Sequence, residues 1–158
     1  MNKIAATGVL MGCLLATGCA QAALKGSGDV VKVAPAAAVV TAAPGQRVQF
    51  AVELDIAKPW HLYAHGDTNF IGVDLDGAET FPLAELKAEY PAGKAKEFFG
   101  DMVMMIEGRQ TIKASALVPA SLTKGRHDLP LLVMVQACDD KTCLAPARVP
   151  VSVTLEVK

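Results

Sequence analysis

Cys138 and Cys143 stand with four residues between them in the run from Val135 to Pro146, Val-Gln-Ala-Cys-Asp-Asp-Lys-Thr-Cys-Leu-Ala-Pro. Two thiols at this spacing can close a disulfide, trade that disulfide with another thiol, or offer two soft ligands to a metal. As a staple the ring is weak. The chain-entropy argument gives a loop of about six residues roughly 2 kcal/mol, against nearly 5 for a loop of about a hundred. Metal binding would need further Cys or His ligands, and the nearest candidate, His127, is not at a recognisable spacing. Asp139 and Asp140 disfavour a thiolate beside them while Lys141 favours one, so charge alone does not set reactivity. A structural bridge, a redox pair and a metal site all remain open on these residues.

The compartment narrows the choice. In residues 1 to 22, Lys3 is the only charge, Ile4 to Leu15 is apolar and small residues follow, the pattern of an export signal. The apolar run of about 12 residues is short of the roughly 20 that span a bilayer. Ala20-Gln21-Ala22 fits cleavage after Ala22, whereas Leu15 to Cys19 resembles a lipobox that would leave an acylated, lipid-anchored Cys19. Ala16, where a lipobox more often carries a large aliphatic residue, favours cleavage after Ala22. On either reading Cys13 is discarded, and Cys138 and Cys143 meet an oxidising, periplasm-like space as the only intramolecular pair.

Loss of Lys3 turns 15 basic against 16 acidic residues into 14 against 16, a net charge of −2, which excludes a basic nucleic-acid-binding surface as the main feature. About 136 residues remain, enough for one domain with a real core. Residues 23–45, rich in Ala, Val and Gly, read as a loose leader followed by weak strand seeds at Val30, Val31, Val33, Val39 and Val40. The main body is expected over 46–158.

Two segments carry a clear two-residue period. Val48, Phe50, Val52, Leu54 and Ile56 alternate with polar or small residues, as do Val149, Val151, Val153, Leu155 and Val157. Shorter strands are predicted at Trp60–Ala64, Phe70–Leu75, Met102–Ile106, Thr111–Val118 and Leu129–Ala137, with one or two helical turns between Leu83 and Ala88. Seven or so short strands separated by Gly, Pro and Asp clusters predict an all-β, single-domain antiparallel sandwich. The cysteines then fall in or beside the hairpin before the last strand. No internal repeat, phosphate-binding glycine loop or cofactor motif is present.

The cysteine segment from Gln136 to Pro146, leading into Val149-Pro150-Val151, resembles the active-site hairpin of the N-terminal periplasmic domain of DsbD, the thiol:disulfide interchange protein. Further pieces agree in order: Trp60 to Tyr63, Phe70 to Gly72, Tyr90 to Lys94, Lys96 to Gly100 and Ile106 to Gly108. The resemblance runs from about Val48 to the end and implies an immunoglobulin-like sandwich acting as a protein-disulfide reductase without a cofactor or metal. Electrons would arrive from a thioredoxin-like donor fed by a membrane-embedded reductase. They would leave to periplasmic thioredoxin-fold clients such as a disulfide isomerase or a cytochrome c maturation factor. Because the sequence stops at Lys158, donor and reductase are expected on separate chains.

The resemblance also implies roles for residues. Cys143 resembles the cysteine that forms mixed disulfides, and Cys138 the one that closes the ring. Phe98 resembles a cap-loop aromatic shielding the disulfide, with Phe99 its neighbour, Gly100 a hinge and Glu97 an acidic cap-loop residue. Tyr63 resembles a family tyrosine near the sulfurs, while His61 stands where some members carry tyrosine. A core tyrosine and a solvated Glu97 are equally ordinary readings. His61 and His65 share a spacing that hints at metal, although any strand would put two such residues on one face. The ring is one residue shorter than in other members. Two other readings compete: an immunoglobulin-like adhesion or assembly module with a purely structural disulfide, and a metal chaperone.

Overall fold

The structure, a computed structural model, describes residues 25–98 and 100–158. The export signal, both of its cleavage readings with Cys13 and Cys19, and Phe99 lie outside the described residues.

The two periodic segments become the long strands around which the rest is built. β3 (Arg47–Ile56) buries Val48, Phe50, Val52, Leu54 and Ile56 and turns Arg47, Gln49, Glu53 and Asp55 to solvent. β11 (Ala147–Val157) does the same with Val151, Val153, Leu155 and Val157. Each buried Val, Leu or Ile removes enough apolar surface from water to contribute about 1.5–3 kcal/mol, so each pattern holds its register. Around them lie β1 (Val31–Pro35), β2 (Val39–Ala42), β4 (Leu62–Tyr63), β5 (Asp74–Gly77), β6 (Ala84–Glu89), β7 (Lys94–Phe98), β8 (Asp101–Ile106), β9 (Gly108–Leu117) and β10 (Gly125–Val135).

One sheet has the order β1-β3-β9-β6 and the other β2-β11-β10-β5. Their inner faces share one core of aliphatic side chains, including Leu54, Ile112, Leu129, Leu131, Val153 and Leu155. The described residues are all-β, and the two sheets form an immunoglobulin-like sandwich. Pairing is antiparallel except where β2 runs parallel to β11. Pro35 closes β1, an edge strand, where a missing N–H costs no ladder bond. A third, smaller sheet of order β4-β8-β7 stands apart with its own apolar cluster.

One expectation fails. Leu83–Ala88 is not helical: β6 pairs with β9 as an edge strand, with a register shift between Ala84 and Lys87 and Glu85 at φ 49°. The segment Ala-Glu-Leu-Lys-Ala-Glu is made of good helix formers, but the free edge of β9 offers it a ladder, and tertiary pairing wins. The strand seeds within residues 23–45 become β1 and β2, after a 3-10 turn at Ser27–Asp29, with Val30 and Val31 inside the core. The short strands also shift, with Trp60–Ala64 reduced to β4 and Phe70–Leu75 giving way to β5.

Candidate functional site

The cysteine segment folds as a tight hairpin between β10 and β11. The Asp139 N–H donates to Thr142 O at 2.9 Å and the Leu144 N–H to Ala137 O at 2.8 Å, so Cys138 and Cys143 face each other as a pair without hydrogen bonds of its own. Such pairs bring side chains closest. Their Cα atoms are 4.0 Å apart and the sulfurs are bonded. The turn is held by the Asp139 carboxylate, which accepts the Lys141 and Thr142 N–H groups at 2.8 Å each. These donors hold its carboxyl below the usual carboxylate range.

On its other side Cys138 pairs with His61, and the two exchange both backbone bonds, His61 N–H to Cys138 O at 2.9 Å and Cys138 N–H to His61 O at 3.0 Å. Directly opposed residues of antiparallel strands project to one face. His61, Cys138 and Cys143 therefore stand in a row across three backbone segments. The row is asymmetric in exposure: Cys138 is 0% exposed while Cys143 reaches solvent.

Ser27, in the segment read as a leader, buckles the base of this hairpin. Its hydroxyl donates to Ala145 O at 2.7 Å and accepts the Ala137 N–H at 2.9 Å, and its own N–H reaches Ala145 O at 3.1 Å. Gly-Ser-Gly reads locally as linker. Nothing local marks Ser27, because both partners lie more than a hundred residues away.

The third sheet covers Cys138. β7 and β8 pair antiparallel as the two arms of a hairpin, and Gly100 between them has φ 89°, a conformation that side chains resist. Gly93, which leads into β7, has φ 73°, and a Cβ there would lie 2.9 Å from Met105 O. Phe98 is buried and packs with Tyr63, Val103, Met105 and Cys138. Its ring meets His61 edge-on at 5.4 Å and Phe70 at 5.6 Å, and Tyr63 stacks on Phe70 at 4.2 Å. Glu97, one residue earlier, is exposed on the opposite face, away from this cluster. Phe70 belongs to the cluster although the sequence marks it only as a strand start. At the foot of the hairpin Lys96 pairs with Glu107 and holds the Glu107 carboxyl below its ordinary value.

His61 Nε2 and the Tyr63 hydroxyl are buried without a hydrogen-bond partner among the described residues. Burial pushes Tyr63 up to about 12 and lowers His61 from the ordinary imidazole value. His65 does not join them. It stacks on Tyr90 at 3.8 Å, with Nδ1 3.1 Å from Val73 O, and Tyr90 donates to Asp74 at 2.6 Å. Trp60, half-buried, packs against the main core, with the Lys25 ammonium 5.7 Å from its ring centre. Among the described residues no group of three or more His, Cys, Asp and Glu side chains gathers to hold a metal, and no helix is long and apolar enough to cross a membrane.

The bridge thus joins an exposed residue, Cys143, to a buried one, Cys138, that shares an apolar cluster with Phe98, Tyr63, Val103 and Met105. Comparisons with known proteins bear on its chemistry. Among solved structures, the N-terminal periplasmic domain of ScsB from Proteus mirabilis superposes with a TM-score of 0.56 at 11% identity, over 82% of this chain and 47% of that one. The chain thus spans about half the length of that structure, and the likeness is one of fold. The major pilin subunit BcpA of Bacillus cereus gives 0.41 at 6% identity over 81% and 40%, and the periplasmic chaperone SfaE 0.33 at 16% over 80% and 57%. No curated protein matches the sequence. The family described as "Thiol:disulfide interchange protein DsbD, N-terminal" matches residues 28–154, most of the chain, with the cysteine hairpin and its aromatic cap inside the matched span. The chain belongs to this DsbD N-terminal family.

Proposed function

We propose that the chain is a periplasmic thiol–disulfide exchange protein that relays reducing equivalents through Cys138 and Cys143. They would pass from a thioredoxin-like donor, itself supplied by a membrane-embedded reductase, to thioredoxin-fold clients such as a disulfide isomerase or a cytochrome c maturation factor. The observation that carries the reading is the asymmetry of the bridge: Cys143 is exposed, while Cys138 is buried in one apolar cluster with Phe98. Exchange needs a thiolate in line with an accessible sulfur. Cys143 offers that access and forms the mixed disulfide, while Cys138 leaves and later recloses the ring. Phe98 shields, Gly100 lets the lid turn and Glu97 lies on its outer face, open to a partner.

Among the described residues there is no α-helix to aim an N-terminus at either sulfur, so none of them supplies the rate enhancement a helix dipole gives. Exchange with small thiols is slow on this reading, and docking supplies the geometry and the selectivity. Trapping tests the assignment. Cys138→Ser, with Cys143 left free, accumulates mixed disulfides with periplasmic partners, and Cys143→Ser gives none. The reverse pattern overturns the order of attack.

A second reading, a binding or assembly module with a structural bridge, draws on the Ser27 and Asp139 bonds that brace the hairpin. Reduction potential separates the two: a structural bridge lies below about −300 mV, whereas a relay equilibrates with thioredoxin-fold proteins at a less negative value.

A further inference from the structure

Native proteins satisfy nearly all of their buried polar atoms, yet His61 Nε2 and the Tyr63 hydroxyl have no hydrogen-bond partner among the described residues, and both rings meet that of Phe98 edge-on. They lie beside a bond which, in the reading proposed above, breaks and reforms. His61 is 3% exposed, sits directly opposite Cys138 with both backbone bonds made, and therefore carries its Cβ about 5 Å from that of Cys138 on the same face. Its ring stands edge-on between Tyr63 at 5.5 Å and Phe98 at 5.4 Å, which fixes its plane. An ordinary core histidine spends its ring nitrogens on fixed partners. Here one nitrogen is unspent.

We propose that His61 carries the proton of Cys138, an inference that rests on the exchange function proposed above. In the reducing direction the Cys143 thiolate attacks a client disulfide, forming a mixed disulfide and releasing one client thiolate, which solvent protonates. The His61 imidazole then accepts the proton of the Cys138 thiol. The Cys138 thiolate attacks Cys143 Sγ, the bond from Cys143 to the client breaks, and the electron pair departs on the client's second sulfur. Two electrons have passed to the client, Cys138 and Cys143 are oxidised to the disulfide, and the imidazolium gives its proton to the departing thiolate or to water. When a donor thiolate attacks Cys143 the steps reverse, and the imidazolium protonates Cys138 as it leaves. Tyr63 keeps its proton and can donate a hydrogen bond to the buried thiolate.

The charges around His61 suit this duty. Burial disfavours the imidazolium most, and Lys96 on β7 disfavours it too; Glu107, Asp140 and Asp139 favour it. The net lowering leaves the ring neutral at pH 7, the form that accepts a proton. The nearby carboxylates keep the protonated form within reach.

The reduced protein mixed with an aromatic disulfide that releases a coloured thiol reads the step directly. A first phase reports attack by Cys143 and a second reports ring closure by Cys138. The second-phase rate is expected to climb with pH to a plateau, with its inflection below pH 6.5. In His61→Gln closure slows on the order of 10²-fold at pH 7, and the rise moves to about pH 8.5 or above, where an unassisted thiol ionises. Closure in His61→Gln with the original rate and profile overturns the proposal. So does an unmodified protein with no inflection below pH 6.5, a result that needs no variant to fold. A single phase, with no second coloured thiol released, instead overturns the exchange function itself.

Discussion

Ser27 shows how a residue without chemistry of its own can hold a reactive hairpin in place. Its hydroxyl bridges the residue before Cys138 and the residue two after Cys143, so it fixes the mouth of the ring while the turn residues fix its tip. Ser27→Ala strands the Ala137 N–H and removes one donor from Ala145 O, and a buried group left unpaired costs about 1–3 kcal/mol. The variant should show a lower urea midpoint with an unchanged slope; a midpoint equal to that of the parent protein would mean that water replaces the hydroxyl at no cost. Tyr63 gives the opposite sign. Its hydroxyl is buried and unpartnered in the disulfide form, so Tyr63→Phe should leave the oxidised protein at least as stable and weaken only the reduced one, where a Cys138 thiolate can accept its hydrogen bond. Comparing urea midpoints of the two redox forms reads the difference. Of these residues the sequence marked Tyr63 and His61 only through their resemblance to a family pattern. Their closeness to Cys138 depends on an isolated bridge across 77 residues of chain, and no local period encodes it.

At the scale of the element, the β7–β8 hairpin is the part that the proposed function requires to move. Its sequence, Lys94 to Gly100, resembles the family's cap loop, while the residues alone allow a strand with one phenyl inward, and Lys94–Phe98 is such a strand with Phe98 buried. The hairpin is anchored by Phe98 on β7 and by Val103 and Met105 on β8. Phe98→Ala removes the ring from above Cys138, so reduction by a small thiol should accelerate, and an unchanged rate would refute shielding. The ion pair of Lys96 with Glu107 fastens the foot of the same hairpin. Because Lys96 holds the folded-state carboxyl of Glu107 below its unfolded value near 4.5, this stabilisation is complete above about pH 4.5 and is lost as pH falls through the lower, folded value. The pair is half exposed and screened by salt, so the effect is modest. Reduction by a phosphine, which acts in acid, should speed up below pH 4.5 relative to a bridge in a peptide, and Glu107→Gln should abolish that dependence. β6 marks the limit of local reading at this scale: helix-forming residues lie flat against β9 because a sheet edge was there to pair with, and no window of six residues can report that edge.

For the whole molecule, the sandwich was legible because β3 and β11 each expose one face and bury the other over their full length, which leaves little freedom in fold class. Strand order was not legible, since the parallel docking of β2 on β11 and the return of the N-terminal turn to the cysteine hairpin are set by the shared core rather than by any segment alone. That core lies between the two four-stranded sheets, while the disulfide sits at one end in a separate cluster. The separation has an energetic consequence. Opening a loop of about six residues gives the unfolded chain only roughly 2 kcal/mol of entropy, and no strand of the two large sheets loses a pairing. The reduced protein, or the double variant Cys138→Ser with Cys143→Ser, should therefore keep its β-sheet circular dichroism and unfold in one cooperative step, about 2 kcal/mol less stable than the oxidised form and with the same urea slope. An electron carrier must be folded in both states, because a partner recognises it before and after exchange. If reduction instead broadened the transition or erased the sheet signal, the bridge would be holding the fold together and could not open and close as a relay.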